Sequence, residues 1–387
     1  MTAGDHAMAA DMQGLLPRAA TGPDITLDEL QLAVRNHSMP LEALRYDTTP
    51  VGMHYLLIHW DIPRVDVGSW RLNIGGSVKR NVELALDDLK ALPRVSIQVT
   101  LECAGNGRSH FSPRPISQPW VLEAVGNAEW TGTPLRALLE AAGPLPTAVE
   151  VVFTGLDRGV QGGIEQQYER SLSVAEASRD DVFLAYEMNG QPLAPQHGFP
   201  LRLVIPGWYG MAHVKWLHSI TLVDRPFRGY QQEPAYHLAS SDEDPGTPVT
   251  RILPRSLMVP PGIPDFISRI RYLSPGVCTL EGRAWSGHGP ISRVQVSTDG
   301  GTSWEDADLG PTGAEFAWRS WRYEWQAEAG EYELCCRAAD ASGNIQPLAT
   351  TWNAQGMCNN AVQRVKVVVG VGVVPVQPAA GGGASTP

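Results

Sequence analysis

The sequence predicts an α+β chain in two parts: a mixed α/β domain over residues 24–235, then an immunoglobulin-like β-sandwich over residues 248–372. Three observations predict it. Between Trp70 and Ile205, short strand-like apolar runs alternate with short helical ones. From about residue 225 to 262 the composition shifts to Pro, Gly, Ser and acidic residues, which marks a connector. Beyond it, short strand-like runs recur at regular spacing with Gly-rich turns between them, the pattern of an antiparallel sandwich.

Element by element, Asp24 to Leu30 leads into an extended run from Gln31 to His37. Trp70 to Gly76 reads as strand and turn, and Ala85 to Leu92 as a short helix. Val95 to Leu101 alternates apolar and polar residues, so it is expected to be a strand carrying Cys103 at its carboxyl end. Pro134 to Ala142 has a helix's start and stop, with Pro at the front and Gly143 behind. Val149–Phe153 and Leu201–Ile205 are apolar strand candidates. In the second domain the expected strands are Phe266–Tyr272, Cys278–Trp285, Ile291–Ser297, Ser320–Gln326, Gly330–Ala338 and Val362–Val369. Residues 373–387, rich in Pro, Gly, Ala and Ser, are expected to be a disordered tail.

Composition narrows the function. Of 387 residues, 43% are hydrophobic and 18% charged, enough apolar material for a large core. The net charge of −11 disfavours nucleic acid and anionic membrane as partners. No apolar stretch reaches the roughly 18 residues that span a bilayer. Residues 1–23 carry no arginine pair followed by an apolar segment, so the expected location is the cytoplasm, or the periplasm if the true start lies upstream. The five cysteines (103, 278, 335, 336 and 358) have no C-x-x-C pairing for zinc or iron–sulfur and no C-x-x-C-H for covalent haem.

One run concentrates the chemistry: Thr100-Leu101-Glu102-Cys103-Ala104-Gly105-Asn106-Gly107-Arg108. A lone Cys after an apolar strand is ordinarily a small buried hydrophobe. Here the thiol is followed by small residues and then a guanidinium, a pattern able to hold a thiophilic metal centre, admit a bulky cofactor close to the backbone and receive an anion. Further polar clusters follow: Gly155-Leu156-Asp157, Ala185-Tyr186-Glu187-Met188-Asn189-Gly190-Gln191-Pro192-Leu193, His197-Gly198-Phe199-Pro200-Leu201-Arg202 and His213-Val214-Lys215-Trp216, with Arg35-Asn36-His37 upstream.

Taken in order, and with Ser297-Thr298-Asp299-Gly300-Gly301 and Trp352-Asn353 in the second domain, these motifs resemble the sulfite oxidase family of molybdenum-cofactor enzymes over most of residues 30–370. The resemblance implies a molybdopterin-binding catalytic domain followed by a dimerisation domain, and hence a homodimer. It implies Cys103 as the metal ligand, with Asn36, His37, Asp157, His197, Arg202, His213 and Lys215 as cofactor contacts. Arg35 and Arg108 would bind the substrate anion, Trp120 would wall the pocket, and Tyr236, with Tyr230 as competitor, would hydrogen-bond the reacting oxygen. The implied reaction is oxidation of sulfite to sulfate by oxygen-atom transfer. The chain contains no haem-binding His-Pro-Gly-Gly element, so electrons are expected to leave to an external acceptor, a cytochrome or dioxygen.

The sequence departs from the pattern at two pocket positions. Animal relatives carry a lysine between the cofactor cysteine and the pocket tryptophan; here Arg114-Pro115-Ile116-Ser117-Gln118-Pro119-Trp120 has none. Gln355 stands where those relatives have an arginine. Both changes weaken the positive field, leaving room for another oxyanion or sulfur substrate, nitrate reductase-like or sulfane dehydrogenase-like. Two readings of other classes stand beside this one: a non-catalytic aromatic-surface binding protein built on Trp285, Trp304, Trp318, Trp321, Trp325 and Trp352, and a thiol hydrolase pairing Cys103 with His110.

Overall fold

The computed structural model describes residues 25–370 except Asp242. The tail expected at residues 373–387 lies outside the described residues, as does the end of the stretch expected as sandwich.

The N-terminal part holds two five-stranded sheets. In the first, Leu72–Gly76 lies parallel to Leu217–Val223, which pairs antiparallel with Glu150–Gln161, itself paired with Ile164–Ser173. In the second, Val95–Glu102 pairs antiparallel with Val125–Pro134, which pairs with Phe183–Met188 and through it with Arg202–Val204. Val95–Glu102 passes from half-exposed at its start to fully buried over its last four residues, so the chain enters the core where Cys103 follows. The helix Leu135–Ala142 buries Leu135, Leu138, Leu139 and Ala142, an i, i+3, i+4, i+7 stripe. It ends on Gly143, whose φ of 71° is left-handed backbone that favours glycine.

The C-terminal part packs a four-stranded sheet on a six-stranded one. Leu280, Trp321 and Trp325 from the first meet Val294, Leu334, Cys336 and Val367 from the second in one buried cluster, the interdigitated core of a β-sandwich. Adjacent Cys335 and Cys336 are both buried and the described cysteines are all free thiols. Trp285, Trp318, Trp321 and Trp325 are at most 6% exposed, so they fill cores and form no aromatic binding face.

Two expectations fail locally. Residues 27–33, expected to run into an extended segment, form a helix, because Thr26 and Glu29 make a reciprocal capping box: the Thr26 hydroxyl accepts from Glu29 N and the Glu29 carboxylate accepts from Thr26 N. The strand expected over Phe266–Tyr272 is confined to Arg271–Leu273. The Asp265 carboxylate accepts from the backbone N–H of Ile267 and Ser268 and closes a turn, leaving Phe266 and Ile267 each 87% exposed.

Candidate active site

The Cys103 run is a tight loop closed by Asn106 N donating to Cys103 O at 2.9 Å and Arg108 N to Gly105 O at 3.0 Å. A Cβ on Gly105 would stand 2.5 Å from the Arg108 guanidinium, and Gly107 has a φ of 87° with Asn359 O close by. Gly105 therefore leaves room for the guanidinium to fold back over the loop, and Gly107 for the close approach of Asn359. Arg108 is 4% exposed; it donates from Nη1 to Gln118 O at 2.9 Å and from Nε to Gln355 O at 3.2 Å, with Met357 Sδ at 3.6 Å. Beneath the loop, the buried Glu102 carboxylate accepts from Asn106 Nδ2 and Trp285 Nε1 and pairs with Arg255 Nε at 2.7 Å.

Cys103 lies where two cavities meet. The inner one is bordered by Asp157, His197, Arg202, His213 and Lys215, joined by His54 and His59. The outer one, a cleft of about 320 Å³, is bordered by Arg108, Trp120, Leu57, Gln355 and Met357. His59 and Tyr236 border both, and Tyr236 Oη lies 3.1 Å from His59 Nε2. Tyr236 carries a φ of 64°, strained for a residue with a Cβ. Its backbone N–H is held by Gln355 Oε1 at 2.7 Å, and Gln355 Nε2 donates to Pro234 O.

Inner-cavity side chains come from strand ends and bulges. Asp157 sits in a register shift between Thr154 and Arg158. Arg202 opens a strand, donates to His197 O at 3.1 Å and stacks its guanidinium 4.5 Å from the Trp130 ring. Lys215 Nζ donates to Leu57 O at 2.8 Å and Gln196 O at 3.2 Å. His213 Nδ1 accepts from Ile205 N, which leaves the proton on Nε2 to donate to Trp208 O.

Burial governs the charges. It holds His54 and His59 down to about 4 and His213 to about 3, so these imidazoles are neutral at neutral pH. Burial also lowers Lys215, seconded by Arg202 and opposed by Asp157, and raises Asp157 against the pull of Lys215. The Cys103 thiol is pushed up by burial and drawn down by the Arg108 guanidinium. In the cofactor-free protein, stability should therefore fall as pH drops from about 6.5 to about 4, because the unfolded chain takes up protons that the folded imidazoles refuse; the loss approaches about 1.4 kcal/mol per pH unit for each such histidine. Urea midpoints measured across that range check the slope. A flat profile would mean that water reaches these rings.

His54 Nε2, Asp157 Oδ1 and Arg202 Nε are buried with no hydrogen-bond partner among the described residues. Three such orphans around one cavity are expensive, and they belong to a site built for a ligand that offers donors and acceptors together with negative charge. A pterin with a phosphate fits: a heterocycle edge for the imidazoles and carboxylate, an anion for Arg202 and Lys215. Among the described residues no cluster of three or more His, Cys, Asp or Glu is arranged to hold a metal ion, so a metal beside Cys103 would take its other donors from the cofactor.

The structure brings Cys103, Asp157, His197, Arg202, His213 and Lys215 to the inner cavity, and Arg108, Trp120 and Tyr236 to the cleft. It does not bring Arg35, Asn36 or His37 to the lining of either. Residues 35–37 run behind the segment that does border them: His37 pairs with Leu56 in an antiparallel bridge, and the Asn36 side chain accepts from Ile58 N and donates to Gln118. Arg35 turns outward, donating to Trp60 O and facing Asp61 at 3.6 Å, with its side chain 48% exposed. Leu57 and His59 stand at the cavity with the spacing expected of Arg35 and His37. His54 and His59, missed from the sequence, had one signal: two imidazoles inside an otherwise apolar run, His54-Tyr55-Leu56-Leu57-Ile58-His59. Tyr230 borders only the cleft, whereas Tyr236 sits at the junction. His110 borders neither, so a Cys103–His110 pair is not formed.

Both parts of the chain are similar to known proteins. Residues 59–231 match the family model described as an oxidoreductase molybdopterin binding domain, and residues 262–370 match a Mo-co oxidoreductase dimerisation domain. The chain is 36% identical over 336 residues to sulfite oxidase of Gallus gallus, covering 82% of this chain and 72% of that one. It is also 36% identical over 342 residues to mitochondrial sulfite oxidase of Mus musculus, where it spans 83% of this chain and 61% of the relative's length. Among solved structures, the sulfane dehydrogenase SoxCD from Paracoccus pantotrophus superposes with a TM-score of 0.77 at 25% identity, covering 95% of this chain and 92% of that one. No helix among the described residues is long and apolar enough to cross a membrane, which says nothing of a β-barrel.

Proposed function

The chain belongs to the sulfite oxidase family of molybdopterin-binding oxidoreductases, and from that premise we propose that it oxidises a pyramidal sulfur oxyanion of the sulfite type, passing electrons to an external acceptor. One observation carries the reading: Cys103 is the cysteine at the junction of a cavity rich in cations and imidazoles and a cleft bordered by Arg108 and Tyr236. When bound, the molybdenum cofactor supplies the oxygen-atom transfer and takes up the two electrons.

The residues divide the remaining work. Cys103 contributes the thiolate, a soft donor suited to the metal. Arg202 and Lys215 would face the phosphate, while Asp157, His54 and His197 would take the donors and acceptors of the pterin. His213, both ring nitrogens engaged by backbone, shapes the wall and holds the turn to Ile205 in place. Arg108 orients the substrate anion; its backbone anchors fix the guanidinium before the substrate arrives, so little reorganisation is needed. Tyr236, pushed up to about 12 chiefly by burial, keeps its proton and offers the phenol hydrogen to the reacting oxygen. His59, neutral and in contact with that hydroxyl, sets its direction.

A homodimer through the sandwich and a cytochrome or dioxygen as electron acceptor complete the proposal; the matched dimerisation-domain model supports the first. Protein produced in cofactor-replete cells should contain close to one molybdenum and one pterin per chain and should reduce ferricyanide when sulfite is added. Folded material without molybdenum would overturn the reading.

A further inference from the structure

We propose that the cleft over Cys103 is built for an organic sulfinate, R–SO2−, in preference to inorganic sulfite. This deepens the oxidoreductase reading above and rests on it.

The charge inventory of the cleft is the first argument. Arg108 is the one cationic side chain bordering it among the described residues, and three of its donors are already committed to Gln118 O, Gln355 O and Met357 Sδ. Where a second cation was expected from Arg35 stands Leu57, and the Arg35 guanidinium is turned toward Asp61 at the surface. Gln355, an uncharged side chain where animal relatives have an arginine, spends its amide on Tyr236 N and Pro234 O. His59 is neutral because burial depresses it. The opposing wall contains no carboxylate to raise the demand for cations. One guanidinium balances one negative charge, whereas sulfite carries up to two and its product sulfate carries two.

The shape and polarity of the walls are the second. Leu32, Leu57, Ile58, Trp60, Val160 and Met357 border a space of about 320 Å³, more than a bare oxyanion fills. Apolar walls of that extent add affinity only for a ligand with an apolar substituent to bury. A sulfinate keeps the feature that the reaction needs, a pyramidal sulfur with a lone pair and two oxygens. It replaces the third oxygen and its charge by an organic group.

The reaction balances as R–SO2− plus H2O giving R–SO3− plus two protons and two electrons. One sulfur–oxygen bond forms with an oxygen that comes from water, and the carbon–sulfur bond is kept. Sulfur loses two electrons, which pass one at a time to an external one-electron acceptor of the ferricyanide or haem-protein type. The two protons of the water go to solvent.

The test uses benzenesulfinate and sulfite as substrates and benzenesulfonate and sulfate as product ligands. With ferricyanide as acceptor, the holoenzyme should show kcat/KM for benzenesulfinate at least about tenfold above that for sulfite, the discrimination an apolar wall supplies. Calorimetry on the resting holoenzyme, in which the cofactor fills the inner cavity, should show benzenesulfonate bound more tightly than sulfate. Leu57→Arg, and independently Val160→Arg at the exposed mouth, should shift both ratios toward the inorganic ions by about tenfold or more, as expected of one added charge-assisted contact. A wild-type preference for sulfite in turnover, or for sulfate in calorimetry, overturns the proposal and leaves the oxidoreductase reading standing. Absence of molybdenum overturns that reading instead, and with it the proposal that rests on it.

Discussion

Cys103→Ser is expected to abolish sulfur-substrate turnover, by more than about 100-fold, while leaving a folded protein. Losing a group that merely orients a metal's ligand costs 10–100-fold, so removing the ligand itself should exceed that range. A hydroxyl is a hard donor with a much higher pKa and does not replace a thiolate toward a soft metal centre. The substitution is close to isosteric at a buried site, so its effect on stability should stay within about 1 kcal/mol. Two measurements separate the effects: the thermal midpoint of the cofactor-free variant should match that of the unaltered protein, and turnover should vanish even where pterin is retained by Arg202, Lys215 and the imidazoles. Substantial activity in the serine variant would remove Cys103 from the centre of the mechanism.

Arg255→Ala is expected to destabilise the protein by about 3–5 kcal/mol, the cost of stranding a buried charge when its partner is removed. The Arg255 and Glu102 side chains are 1% and 0% exposed and lie 2.7 Å apart. Glu102 is next to Cys103 in the chain and also receives Trp285 Nε1 from the sandwich. The loss should therefore be felt at the thiol as well as in global stability. Joint replacement of Glu102 by Gln and Arg255 by Met should cost less than the two single changes added together. Urea unfolding of the four proteins in a double-mutant cycle measures the coupling, and additivity would show that the pair is not acting as a unit.

Much of this site was legible because its residues occur in contiguous runs. Cys103 could be placed at a strand end from the alternation of Val95 to Leu101, whereas the small residues expected to admit a cofactor leave room at Gly105 for the Arg108 guanidinium and at Gly107 for Asn359. His197, Arg202, His213 and Lys215 lie within one short stretch that threads past the inner cavity. Residues 35–37 were misplaced because two neighbouring segments pair with each other, and sequence does not say which of two stacked segments faces inward. That choice is made by the His37–Leu56 bridge and by the Asn36 amide, which hold the 55–59 segment against the cavity from behind. The helix at Leu27–Ala33 was missed for a nearer reason: its capping box was present in Thr26 and Glu29 and outweighed the extended pattern.

The two cavities differ in how late the chain completes them. Every side chain bordering the inner one lies between His54 and Tyr236, whereas the cleft also needs Gln355 and Met357. In order of synthesis, every residue lining the inner chamber therefore precedes the sandwich, although Glu102 beneath Cys103 waits for Arg255 and Trp285. The substrate entrance is finished only when the returning C-terminal loop reaches Arg108 and clamps its side chain. The guanidinium that admits an anion is thus held in place by chain made after every residue that lines the inner chamber.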